Sequence, residues 1–279
     1  MHEPRPPLLE ILARAGYGAR GLTYCLVGGL ALLAALGEGG RTGGSRSALM
    51  VLLDKPFGRL MLGAVAFGLM GFALWRWIEA ATDADRRGRS ARGLAVRAGH
   101  GVSGVIYAGL AVSVARAALG WGGSGPQDQA ARDWTAWLLG EPFGAVAVAA
   151  AGAVVIGAGA GFLLKAWRGD VTRQLALPVD ARSWARAAGR LGYAARAVVF
   201  WLIGGFLILA AVESRSSEVR GLGGALAALR DQPYGPVLLG LTAAGLAAFG
   251  AFGLVQARYR RIDPPHLDDL AAGRSRAGS

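Results

Sequence analysis

Arginine beside aromatic rings is the pattern in this chain with the most chemistry in it. Arg20 has Tyr17 three residues before it and Tyr24 four residues after it. Arg196 has Tyr193 and Phe200 at the same offsets. On a helix those spacings bring rings and guanidinium to one face. Arginine grips a phosphate or carboxylate with two parallel hydrogen bonds, and flat rings attract its charge. The chemistry implied is binding of an anionic lipid or ligand head group by Arg20, Arg196, Tyr17, Tyr24, Tyr193 and Phe200. The plainer use is a snorkelling arginine that sets helix depth.

Other chemistry is absent from the pattern. The three histidines, His2, His100 and His266, have no metal-ligand spacing, and there is no Cys-x-x-Cys. No phosphate-binding loop and no nucleophile elbow occurs. Cys25 is the single cysteine, so no internal disulfide forms. No metal, no cofactor and no enzymatic activity are expected.

The elements that carry these residues are apolar and long. Hydrophobic residues make up 53% of the 279, and charged residues only 17%. Six stretches, roughly 21–37, 58–78, 99–120, 143–164, 197–212 and 236–257, approach the ~20 apolar residues that a bilayer core requires of a helix. Their central turns hold no Asp, Glu, Lys, Arg or His. Ion-coupled transport usually needs such groups near the midplane.

The net charge of +12 is distributed by topology. With six spans, the side bearing both termini carries 21 of the 30 basic residues and 10 of the 18 acids, a net +11 against +1 on the other side. The positive-inside rule then puts both termini in the cytoplasm. A charge spread in this way is topogenic, and no nucleic-acid partner is expected.

The chain repeats itself at intervals of about ninety residues. One signature reads Arg14-Ala15-Gly16-Tyr17, Arg97-Ala98-Gly99-His100 and Arg190-Leu191-Gly192-Tyr193. The other reads Pro56-Phe57-Gly58, Pro142-Phe143-Gly144 and Pro233-Tyr234-Gly235, with proline expected in the first turn of each second span. Each first span carries a stripe of rings and small residues: Tyr17, Gly21, Tyr24, Gly28; His100, Gly104, Tyr107, Ala111; Tyr193, Ala197, Phe200, Gly204. Small residues let membrane helices approach closely, so Gly21, Gly28, Gly104 and Gly204 are the expected packing positions. A short apolar segment precedes each second span and suits an interfacial helix on the outer side.

The expected architecture is all-α: a polytopic membrane protein whose six transmembrane helices form three parallel two-helix repeats about a pseudo-threefold axis, with short interfacial helices outside. The repeats are residues 8–88, 89–178 and 179–262, followed by a polar cytoplasmic tail, 263–279. The paired signatures, three times over residues 8–262, resemble the bacterial membrane family called domain of unknown function 1206. The resemblance implies the threefold two-helix repeat and no activity. Unit two departs from it with His100 for tyrosine and Ser103 for arginine, and unit three has Ala197 for glycine. The functional expectation is a non-enzymatic scaffold, interaction or lipid-binding protein. Its expected partners are membrane lipids, anionic ones included, an oligomer, or other membrane proteins. The alternative is a small-solute channel or transporter along the axis.

Overall fold

Every first span starts well before its apolar stretch. In the computed structural model, which describes residues 8–82, 90–121, 129–168 and 170–261, the six long helices are α1 (Leu8–Leu36), α3 (Gly58–Thr82), α4 (Ala91–Ala118), α6 (Gly144–Arg168), α7 (Arg182–Glu213) and α9 (Gly235–Tyr259). Each is long and apolar enough to cross a bilayer. The tail expected at 263–279 lies outside the described residues. Three short helices, α2 (Ser45–Met50), α5 (Gln129–Leu139) and α8 (Leu222–Arg230), lie between the two spans of each unit, where interfacial helices were expected.

The early starts have a cause in the first signature. Arg97 donates from Nε to the Ala80 carbonyl (2.8 Å) and from Nη2 to that of Ala81 (3.0 Å), at the end of α3. Arg190 does the same for the Ala166 carbonyl near the end of α6 (2.9 Å). Arg14 does it for the Ala257 and Arg258 carbonyls of α9 (3.0 and 2.7 Å). The last carbonyls of a helix have no intrahelical partner, and a cation there also meets the negative end of the dipole. So each unit's opening arginine caps the unit before it, and unit one caps unit three. The lead-ins must be helical to aim these side chains.

The second signature is a turn, and its proline is not in the helix. Gly58, Gly144 and Gly235 donate their N–H to Lys55, Glu141 and Gln232 carbonyls at 2.8–2.9 Å. Proline takes the second position of the turn. The aromatic takes the third, with φ of 60°, 64° and 62° at Phe57, Phe143 and Tyr234. That position requires positive φ, which costs a non-glycine residue of order 1–3 kcal/mol. Glycine must follow, because a Cβ there would collide with the carbonyls of Leu52, Leu138 and Arg230. The three rings are 81%, 85% and 84% exposed, as suits aromatic side chains at a membrane–water interface.

Packing follows two kinds of seam. The seams between units join α3 to α4, α6 to α7 and α9 to α1, and all three are made. Within units, α1 packs on α3 and α7 on α9, but α4 and α6 share no comparable interface. The helices therefore form an arc that runs α4, α3, α1, α9, α7, α6 and stays open inside unit two. Half of the apolar window of α3 and of α9 is buried, against 22% in α4 and 17% in α6.

Single residues explain the opening. A Cβ on Gly16 would lie 2.6 Å from the Phe72 backbone nitrogen, and one on Gly192 2.6 Å from the Phe249 Cα. Gly68 meets Ala19, and Gly245 meets Ala195, in the same close fashion. In unit two, a Cβ on Gly99 would meet nothing within 4 Å. Valines stand where the others have glycine and alanine: Val154 matches Gly68, and Val102 matches Ala19. Both valines are exposed, at 72% and 60%. Branched side chains at both facing positions keep the two backbones apart, and Ala158 replaces the phenylalanine of the other units.

Candidate functional site

Among the described residues, the buried charged groups Arg20, Glu79 and Arg260 gather on the chain-end side of the helix arc. Three positions equivalent in the repeat, Glu79, Lys165 and Gln256, come one turn before the ends of α3, α6 and α9. Each reaches toward the next unit. Glu79 Oε2 lies 3.7 Å from His100 Nδ1. Lys165 Nζ lies 3.0 Å from the Tyr193 hydroxyl and 4.5 Å above its ring. Gln256 Oε1 accepts from Arg20 Nη2 at 2.5 Å.

Glu79 is the hub of this layer and is 2% exposed. It accepts from Trp75 Nε1 (2.8 Å), from Arg76 (2.7 Å) and from Arg260 (2.9 Å). A buried carboxylate persists only when paired in this way. Glu79, Arg76 and Arg260 all lie outside the arginine–aromatic pattern of the sequence. The signal was readable, since Trp75, Arg76 and Glu79 stand at helical spacings of four and three.

Arg20 and Arg196 occupy equivalent places but different surroundings. Arg20 is 3% exposed, so it does not snorkel. Its guanidinium carbon lies 5.2, 4.9 and 5.1 Å from the ring centres of Tyr17, Phe72 and Phe249. Gln256 then supplies its hydrogen bond, and Tyr17 is wholly buried beside it. Arg196 is half-buried in a ring cage of Tyr24, Phe162, Phe200 and Phe249 at 5.4, 4.6, 5.2 and 4.8 Å. Among the described residues it has no hydrogen-bond or ion-pair partner, and its Nε is buried without one. Desolvated cation–π contacts are worth about 2 kcal/mol or more each.

The flanking residues tie the two arginines together. Phe249 lies between them, packing edge-on against Tyr24 (4.9 Å) and Tyr193 (5.3 Å). Tyr107 of α4 packs on Phe72 (4.8 Å) and faces Tyr24, Arg20 and Arg196. Phe162 of α6 packs on Phe200 (5.0 Å) and Tyr193. Arg196 thus lies between side chains of α4 and α6, behind the opening of unit two. Among the described residues of this layer, the cations Arg20, Arg76, Arg196, Arg260 and Lys165 outnumber the carboxylate of Glu79. Among the described residues no group of three potential metal ligands occurs.

The four packing glycines all lie against a neighbouring unit. A Cβ on Gly21 would stand 2.8 Å from the Leu254 nitrogen, and one on Gly28 2.6 Å from the Ala243 carbonyl. For Gly204 the neighbours are Ile156 and the Gly152 carbonyl, at 2.6 and 2.7 Å. Gly104 meets the Trp77 ring.

Residues 15–83, 98–169 and 191–260 match the family described as Domain of Unknown Function (DUF1206). The chain is also 32% identical over 265 residues, 92% of its own length and 93% of the relative's, to "Uncharacterized protein YxxB" of Bacillus subtilis (strain 168). No solved structure matches it. Three matched segments, each covering most of one pair of spans, make this multi-pass membrane protein a member of the DUF1206 family.

Proposed function

We propose that the protein is a non-enzymatic scaffold of the bacterial cytoplasmic membrane, which holds an anionic head group at Arg196. The observation that carries this reading is the cage of four rings around a guanidinium with no acid partner among the described residues. An anion there would offset the surplus of cations in the terminal-side layer, and the opening between α4 and α6 offers it a lateral route. Arg20, already bonded to Gln256, serves the structure instead. The centre of the arc, filled by Phe72, Tyr107 and Phe249, favours a scaffold over a channel.

The net +11 on the terminal side supports a cytoplasmic location for both termini. Reporter fusions after residues 40, 128 and 218 should then read outside, and fusions after 90, 180 and 262 inside. A periplasmic reporter active after 90 or 180 contradicts that orientation.

Thermal unfolding in detergent tests the head-group reading. An anionic phospholipid should stabilise the protein beyond a zwitterionic one of the same chains. The gain should be about 2.7 kcal/mol at one hundred times Kd. Arg196→Gln should abolish the difference between the two lipids. An unchanged difference in that variant contradicts the reading.

A further inference from the structure

A groove of about 330 Å3 lies in one of the three seams between units, in the half of the bilayer away from the chain ends. It runs between α3 and α4, and is lined by Gly63, Phe67 and Met70 on one side and Ala111, Ala115 and Leu119 on the other. Its size is at the lower end of the roughly 300–1,000 Å3 of ligand clefts. The repeat explains why it is here. Gly28 and Gly204 let their helices touch a neighbouring backbone at this level, but unit two has Ala111. The Ala111 methyl holds α4 off α3. A Cβ on Gly63 would consequently meet nothing within 4 Å, whereas one on the equivalent Gly240, in the α9–α1 seam, would lie 3.7 Å from the Ala35 methyl.

Two exposed arginines stand at the mouth of this groove. Arg59 is four residues from Gly63, and its Nη2 comes within 3.9 Å of a Cβ placed on Gly120, just past the end of α4. Arg116 lies on α4 between lining residues Ala115 and Leu119. Among the described residues neither has an acid partner. The equivalent positions in the other two seams are Pro236 with Leu33 and Ala145 with Leu209. The arginine pair therefore occurs at one seam out of three, the seam that holds this groove. Trp121 follows on the same rim and is 71% exposed, as an interfacial tryptophan would be.

We infer that this seam binds a phospholipid, with one acyl chain in the groove and its phosphate between Arg59 and Arg116. The occupant sits in the leaflet opposite the chain ends, so it is distinct from a head group at Arg196 and does not depend on that reading. An apolar chain fits the lining. Two guanidinium groups in the outer polar layer fit a phosphate, which every phospholipid carries, so the site does not select anionic over zwitterionic lipid.

The test is photo-crosslinking of the full chain, reconstituted with a phospholipid that bears a diazirine on its acyl chain. Labelled peptides should concentrate on residues 63–70 and 111–119, several-fold above the lipid-exposed face of α6 at 146–154. Arg59→Gln with Arg116→Gln should lower that yield at least fivefold. A diazirine-bearing fatty alcohol, which lacks the phosphate, should label the groove equally in both proteins. Filling the groove with Gly63→Leu should remove the label without touching either arginine. Even labelling of all lipid-facing helices would mean only bulk lipid, and would overturn the inference. So would an undiminished yield in the double arginine variant. A groove labelled by the fatty alcohol and not by the phospholipid would overturn the phosphate assignment and the inference with it.

Discussion

Units one and three close their two spans on each other, and unit two, built from the same signatures, does not. The contrast separates two jobs that the repeat performs. Joining one unit to the next uses the capping arginines and the glycine stripe, and all three joins are present. Closing a unit on itself uses Gly16 against Phe72 and Gly68 against Ala19, or Gly192 against Phe249 and Gly245 against Ala195. Unit two keeps Gly99 but loses the rest to Val102, Val154 and Ala158. An opening beside Arg196 follows from a handful of side chains, with the signatures left nearly intact.

Bulk at the equivalent glycines should break the comparison most sharply. Gly16→Leu or Gly192→Leu forces a side chain into backbone that is already in contact. Such overpacking typically costs about 1–3 kcal/mol, and more where the backbone cannot shift. The same change at Gly99 meets open space and should stay within about 0.5 kcal/mol. Thermal unfolding of the three variants in one detergent measures this. Equal losses would mean that unit two is closed after all.

A smaller effect sharpens the comparison from the other side. Val102→Ala with Val154→Gly gives unit two the facing residues of units one and three. Cysteines placed at Gly99 and Ala158, in a Cys25→Ser background, should then be joined by a short bifunctional reagent. Without the two changes they should remain unjoined. Joining in both proteins would show that the valines do not hold α4 and α6 apart.

The capping arginines should give the smallest loss. Arg14→Ala, Arg97→Ala and Arg190→Ala each remove hydrogen bonds to helix-end carbonyls, worth about 1 kcal/mol at a partly exposed site. Because all three units use the cap alike, the three losses in unfolding free energy should agree within about a factor of two. A loss confined to one of them would mean that the caps are not equivalent.

The spans and their threefold repetition were legible because each rests on a local pattern repeated three times. The stripe Tyr17, Gly21, Tyr24, Gly28 needs only helical periodicity to be read. The early helix starts were not legible, because Arg14, Arg97 and Arg190 are polar and their purpose lies on another helix. The turn at Pro56-Phe57-Gly58 was misplaced by one element: proline is favoured both in turns and in first helical turns, and the positive φ of Phe57 has no sequence signal unless glycine holds that place. The different surroundings of Arg20 and Arg196 depend on Gln256, 236 residues from Arg20. The departures of unit two at His100 and Ser103 marked it as different from the others without pointing to an opening. The valines that cause it look, in sequence, like ordinary lipid-facing residues.

Native mass spectrometry of the full chain in mixed anionic and zwitterionic lipid tests the central claim most directly, because it counts bound anionic molecules. Arg196→Ala should remove one tightly held anionic lipid, whereas Arg20→Ala should lower stability and leave that lipid in place. Ser103→Ala, at the equivalent position of unit two, should change neither. Retention of the same anionic lipid by a folded Arg196→Ala protein would contradict the account, and so would its loss from Arg20→Ala alone.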